Sequence, residues 1–133
     1  MIAILSTCIF PDKTNYPINE KMLHDGPPHK SNEEYAYAKR ILQIHCNAYN
    51  KQYNRNYICV IPTNIYGKFD NFSIDHGHVI PSLIHKAYLA KKNNITLIVN
   101  GTGTALRQFI YSEDLATSYT CPLANITSKI VDR

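Results

Sequence analysis

Tyr35 and Lys39 stand four residues apart in the stretch Asn32-Glu-Glu-Tyr-Ala-Tyr-Ala-Lys39. On a helix that spacing puts both side chains on one face, with Cβ atoms roughly 5–6 Å apart. An ammonium beside a phenol favours the phenolate form. A phenol held in that way can give or take a proton at a substrate oxygen. Both residues fall in the opening turns of the predicted helix, where the dipole also favours negative charge. The pattern alone arises easily on helix surfaces, where such a pair is simply solvated. Tyr37, two residues on, points elsewhere.

The elements that must position this pair are readable around it. Ile2 to Leu5 is a short apolar run and reads as a buried strand, with Ser6-Thr7-Cys8 at its end. Pro11 to Lys30 is a long loop rich in Pro, Gly and Asn, and loops of that length are usually functional. Ser31 is placed to cap the next helix, with Glu34 completing a capping box. Apolar residues recur at Ala38, Ile41, Leu42, Ala48 and Tyr49, with His45 partly so, which predicts a helix to about Tyr53. Its polar edge carries Lys39, Arg40, Gln43 and Asn47. Tyr57 to Ile61 reads as a second buried strand, stopped by Pro62. A turn-rich loop from Pro62 to Phe72 leads to a helix from Val79 or Pro81 to Lys92, with Ile80, Leu83, Ile84, Ala87 and Tyr88 on one side. Ile95 to Val99 and Gln108 to Tyr111 read as strands around the turn Gly101-Thr-Gly103. Ser112 is placed to cap a third helix, whose first turn holds Glu113 and Asp114.

Strands alternating with helices predict an α/β domain with a mainly parallel sheet. Ligands of such sheets lie outside the carboxyl ends of the strands. That directs attention to Ser6-Thr7-Cys8 and Pro62-Thr63-Asn64, which both follow strand ends.

Composition bounds the partners. The chain has 133 residues, a formal charge of +4, 44% hydrophobic and 18% charged residues. That is too apolar for intrinsic disorder, and no apolar run approaches the ~18 residues of a spanning helix. The expectation is a protein of the cytoplasm, with no membrane partner. Basic residues are scattered in twos, as at Lys39-Arg40 and Lys91-Lys92, rather than gathered as a nucleic-acid binder would gather them. No nucleic-acid partner is expected, and a mild positive excess suits an anionic small molecule equally well. Cys8, Cys46, Cys59 and Cys121 form no C-x-x-C pair, so neither a zinc site nor a disulfide framework is expected. Asp75, His76 and His78 lack a further ligand of suitable spacing, so no metal is expected there either. Gly101-Thr-Gly103 is no dinucleotide fingerprint, because Leu106 stands where a sixth-position Gly or Ala belongs.

Taken in order, Ser6-Thr-Cys-Ile-Phe-Pro11, Gly26-Pro-Pro-His29, the Tyr35/Lys39 stretch, Pro62-Thr-Asn-Ile-Tyr-Gly67, Asp70-Asn-Phe72, His78-Val-Ile-Pro81, Gly101-Thr-Gly103 and Arg107-Gln-Phe109 resemble the GDP-L-fucose synthase family. The resemblance covers about residues 4 to 118, and the motifs occur in the family's order. It implies the C-terminal part of a Rossmann-like, mainly parallel sheet of the extended short-chain dehydrogenase/reductase type, with part of the substrate domain. It also implies an NADPH-dependent enzyme that epimerises C3 and C5 of GDP-4-keto-6-deoxy-D-mannose and then reduces C4, working as a homodimer.

By the same resemblance, Tyr35 gives a proton to the C4 oxygen, Lys39 tunes Tyr35 and holds the nicotinamide ribose, and Ser6 bonds the ketone. Cys8 resembles the epimerisation base and His78 its acid partner, also placed at the cofactor. Pro62, Thr63, Asn64 and Ile65 resemble the stretch along the nicotinamide. Lys86, Asn100 and Arg107 match substrate positions. The residue types suit these tasks. Protons beside a ketone are acidic, a cysteine is a usable base where charge or a helix terminus favours its thiolate, and histidines as a class titrate near neutrality. The commoner roles for such residues are a buried inert thiol, a helix-start histidine and solvated surface cations.

The chain also departs from the pattern. Asn100 stands where the family usually has tryptophan, and Lys68 follows Gly67 where proline is usual. Nothing in the chain resembles the family's Gly-rich pyrophosphate loop, and residues 119–133 diverge, with Pro122 expected to end the helix early. The expectation is an incomplete domain over 1–133 that is unstable alone and does not turn over substrate. The competing readings are another sugar-nucleotide epimerase or dehydratase fragment, which Cys8 and His78 disfavour, and a non-catalytic subunit that pairs with a longer protomer through the Tyr35 helix.

Overall fold

Ile2–Ile4 forms β1 in the computed structural model, which describes residues 1–120. Predictions that fall on the divergent tail beyond Thr120, including a stop at Pro122, lie outside the described residues. The chain divides into two compact units, Met1–Thr63 and Asn64 onward.

In the first unit β1 pairs in parallel with β2, Ile58–Val60, in the register Ile2↔Ile58, Ala3↔Cys59, Ile4↔Val60. The pairing continues beyond the strands through Leu5 N–H to the Val60 carbonyl at 2.8 Å. A single 3₁₀ turn, Thr7–Ile9, follows β1, with Ser6 as its cap. Leu5, Ile9 and Leu23 form the core, and Phe10, Leu42, Cys59 and Ile61 pack on it. The expected long loop from Pro11 is therefore partly ordered: Glu20–His24 is a 3₁₀ helix that delivers Leu23 to that core.

Helix α1 runs Glu33–Tyr53. The expected capping box does not form. Lys30–Asn32 is a 3₁₀ turn in which His29 Nδ1 accepts from Ser31 N–H, and α1 starts after Asn32 with no side-chain cap bond. The helix stops at Asn54 in the left-handed region (φ 48°), which Asn tolerates better than most residues. Asn50 then returns the chain to β2: its Nδ2 donates to the Tyr57 carbonyl and its Oδ1 accepts from Tyr57 N–H, both at 2.8 Å.

Of the expected inner face of α1, Leu42 packs on the core, but Ile41 and Tyr49 do not. Ala36, Arg40 and Cys46 are buried, whereas Tyr37, Ile41, Ile44 and Tyr49 are 41–51% exposed. Arg40, expected on the solvated edge, is the most deeply enclosed charged residue of the described chain.

In the second unit β3, Asn64–Tyr66, pairs in parallel with β4, Phe109–Tyr111. Asn64–Tyr66 is loop by the sequence reading; a strand of three residues is too short to show a period, and only the β4 partner makes it a strand. Ile95–Val99, expected to be a strand, is exposed chain with no pairing among the described residues. Helix α2 is Val79–Asn93, with Pro81 buried in its first turn, where a missing N–H is harmless. Its expected inner residues Ile84 and Tyr88 are more than half exposed. Helix α3, Ser112–Thr120, opens directly from β4, so Ser112 is its first residue and not a preceding cap. Gly67 makes this junction possible, since a Cβ there would lie 3.0 Å from Ser112 Cβ and closer still to its hydroxyl.

The segment from Asp70 to His78 is tied by its own hydrogen bonds. Asn71 Oδ1 accepts from Ser73 N–H, Ser73 Oγ accepts from His76 N–H, and Gly77 N–H donates to the Ser73 carbonyl. From α2, His85 Nδ1 bonds the Phe72 carbonyl at 2.8 Å. A Cβ at Gly77 would lie 2.4 Å from two backbone carbonyl oxygens, Asn71 and Ser73. Backbone oxygens cannot swing aside, so Gly77→Ala should cost about 1–3 kcal/mol locally. The check is limited proteolysis: cleavage between Asp70 and His78 should speed up markedly in the variant, and unchanged cleavage would contradict this packing.

Candidate active site

The end of β1 and the first turns of α1 meet in the first unit. Lys39 Nζ donates to the Ile4 carbonyl at 2.8 Å, two residues before Ser6. The same ammonium lies 5.6 Å from the centre of the Tyr35 ring, so the four-residue spacing does put the two side chains on one face. Tyr35 is 52% exposed. Ser6 Oγ lies 2.8 Å from Cys8 Sγ, and it accepts from Cys8 N–H at 3.5 Å. Ser6, Cys8 and Lys39 are all half-buried. Pro62 and Thr63 follow β2 in the same unit and are half-buried.

The remaining predicted residues belong to the second unit. Asn64 and Ile65 are exposed positions of β3, and Asn64 bonds the Gln108 carbonyl through both its backbone N–H (3.2 Å) and its Nδ2 (2.9 Å). His78 precedes α2 with its side chain 84% exposed, and its Nδ1 lies 3.7 Å from Asp70 Oδ1. That oxygen also accepts from Asn71 N–H at 2.7 Å. Lys86 is half-buried on α2. Asn100 and Arg107 lie on exposed chain, and the guanidinium of Arg107 makes only a local bond, to the Leu106 carbonyl at 3.0 Å. The sequence alone gives neither Asp70 nor Arg40 a role in a site. Arg40 looked like a solvated neighbour of Lys39, and only the fold shows which carbonyl it meets.

The thiols divide by environment. Cys46 on α1 is buried and adjoins Cys59 on β2, whereas Cys8 is half-buried beside Ser6. The Cys59 thiol is pushed up from 9.0 to about 12, first by burial and then by the hydrogen bond and charge of Cys46.

A parallel α/β frame with this constellation beside a strand end defines a class. The chain belongs to the NAD dependent epimerase/dehydratase family, whose model matches residues 1–131. Within it, the chain is 60% identical over 124 residues to the GDP-L-fucose synthase of Dictyostelium discoideum, covering 93% of this chain and 39% of that protein. It is 45% identical to the probable GDP-L-fucose synthase of Drosophila melanogaster, covering 96% of this chain and 42% of the relative. Among solved structures, the GDP-L-fucose synthetase of Naegleria fowleri bound to NADP superposes with a TM-score of 0.84 at 47% identity, over 92% of this chain and 41% of that one. The chain thus spans about two-fifths of the length of these relatives. Among the described residues no helix is long and apolar enough to cross a membrane.

Iodoacetamide at pH 8 should label Cys8 in the native protein and leave Cys46 and Cys59 unlabelled until it is denatured, because the thiolate is the nucleophile. The sign is set by the raised Cys59 value: its thiolate appears in the native state only as pH rises toward about 12. Peptide mass spectrometry checks this, and native labelling of Cys59 at pH 8 would contradict it.

Proposed function

We propose that this chain is the reactive-centre portion of a GDP-L-fucose synthase, acting on GDP-4-keto-6-deoxy-D-mannose with NADPH in the cytoplasm. The observation that carries the reading is the Lys39 ammonium, bonded to the Ile4 carbonyl and lying over the Tyr35 ring at the strand end that continues into Ser6 and Cys8. The 60% identity to the Dictyostelium discoideum enzyme supports the substrate class. Units 1 and 2 are read as one partial domain over 1–133, alongside which a full-length enzyme carries further sequence.

The donors present suit the cofactor. A lysine ammonium has three N–H donors, and Ile4 takes one of those on Lys39, leaving two for ribose hydroxyls. Lys39, with Pro62, Thr63, Asn64 and Ile65, would hold the nicotinamide end; when bound, the cofactor supplies the hydride that reduces C4. In this reading the Ser6 hydroxyl donates to the ketone oxygen, and the Tyr35 hydroxyl gives its proton to the oxygen at C4 as the alcohol forms. Cys8 takes the proton from carbon beside the ketone, where the negative charge spreads onto oxygen, and His78 is its acid partner that returns a proton. Lys86 and Arg107 offset diphosphate charge, and Asn100 faces the sugar with a smaller, polar contact in place of a flat ring. The exposed Tyr37, Ile41, Ile44 and Tyr49 on α1 supply the face through which two protomers would associate.

The test uses a chimaera in which this chain replaces the matching stretch of the Dictyostelium discoideum enzyme. Tyr35→Phe should lower kcat by about 10²–10⁴-fold. Cys8→Ser and His78→Gln should stop deuterium exchange from solvent into C3 and C5. A chimaera whose turnover survives Tyr35→Phe would overturn the assignment.

A further inference from the structure

Arg40 is the one buried charged residue among the described residues, only 6% exposed, and the chemistry above does not use it. Its Nε donates to the Ile9 carbonyl at 2.7 Å, and its guanidinium lies 5.5 Å from the centre of the Tyr37 ring. Among the described residues no carboxylate pairs with it, and its Nη2 is buried with no hydrogen-bond partner. Enclosing an unpaired cation with an unmet donor is a cost, because both the charge and the orphan N–H lose water. Stability alone would favour an apolar side chain of the same length beside the fully buried Ile9. What an arginine does here that such a residue cannot is fix the Ile9 carbonyl.

That carbonyl closes a short bracket. Lys39 holds the Ile4 carbonyl, and Arg40, the next residue of α1, holds the Ile9 carbonyl. Between the two anchors lie Ser6 and Cys8. The turn that carries them contributes only two weak backbone bonds of its own, Ile9 N–H to the Ser6 carbonyl at 3.2 Å and Phe10 N–H to the Thr7 carbonyl at 3.3 Å. We propose that Arg40 is a positioning residue that clamps the Thr7–Ile9 turn onto α1 and so fixes Ser6 and Cys8 against the Tyr35–Lys39 face, an inference whose catalytic meaning rests on the function proposed above.

The experiment compares Arg40→Met, which keeps bulk and removes the donor, with Arg40→Lys, which keeps one donor. Both are made in the full chain and, in parallel, in the Dictyostelium chimaera, so that a fold lost in one setting is read in the other. Amide hydrogen exchange and the rate of Cys8 alkylation are the readouts. Arg40→Met should speed exchange at the Ile9 and Phe10 amides and alkylation of Cys8 by about tenfold or more, the size expected for losing one bond from a charged donor. The β1–β2 amides should keep their protection, and the thermal midpoint should hold or rise. Arg40→Lys should restore most of both rates. Unchanged rates in Arg40→Met, or a loss of protection spread over the whole first unit, would overturn the proposal. Neither readout needs substrate, so a negative result here is distinct from a failure of the Tyr35→Phe test, which would remove the catalytic role and leave the clamp.

Discussion

At the exposed end of β1 the Ile4 carbonyl accepts a hydrogen bond from a charged donor, the Lys39 ammonium, at 2.8 Å. The Lys39 ammonium on the Ile4 carbonyl joins α1 to the first strand at the place where the chain leaves the sheet. A hydrogen bond from a charged donor is stronger than a neutral one, and a flexible lysine stem is held in one place by it. The consequence is geometric. With the ammonium fixed, the Tyr35 ring one helical turn back is set over it, and the next two residues of the chain, Leu5 and Ser6, leave the strand at a defined position. Leu5 enters the core and Ser6 turns to Cys8, so one polar contact links the core to the turn that carries the proposed site.

The same constraint explains which parts of the sequence could be read directly. Parallel pairing of the first apolar run with the run before Pro62 follows from two apolar strands joined by a helix, although only Ala3 of the paired residues is buried, and the Tyr35–Lys39 face follows from helical spacing. The inward face of α1 does not. Hydrophobic periodicity places Ile41 and Tyr49 inside, yet they are about half exposed, and the face with Lys39, Arg40, Cys46 and Asn50 turns to the strands. Three of those four residues donate to backbone carbonyls: Ile4, Ile9 and Tyr57. Polar side chains that bond backbone carbonyls are indistinguishable, in a sequence, from polar side chains in water. The capping box fails for a related reason, since His29 takes Ser31 N–H first and shifts the helix start to Glu33.

In the second unit the helix that follows His78 is legible, and the carboxylate beside that histidine is not. Asp70 stands eight residues ahead of it, with an intervening segment whose hydrogen bonds are nearly all side chain to backbone. No periodicity encodes such a segment. Asn, Ser and Gly at these spacings mark turns, but which turn forms depends on the fit of Gly77 against two carbonyls. Ile95–Val99 is the converse case. Its composition is that of a strand, and a strand is realised only when a neighbour pairs with it.

The chain covers 39% of its Dictyostelium discoideum relative, so the most direct measurement is made at that protein's length. It is a crystal structure of the Dictyostelium chimaera with a GDP-sugar and NADP bound. The account predicts that Tyr35 Oη and Ser6 Oγ both lie within about 3.2 Å of one sugar oxygen, with Lys39 still on the Ile4 carbonyl. A Tyr35 hydroxyl turned to bulk solvent, away from Ser6 and the bound sugar, would contradict it.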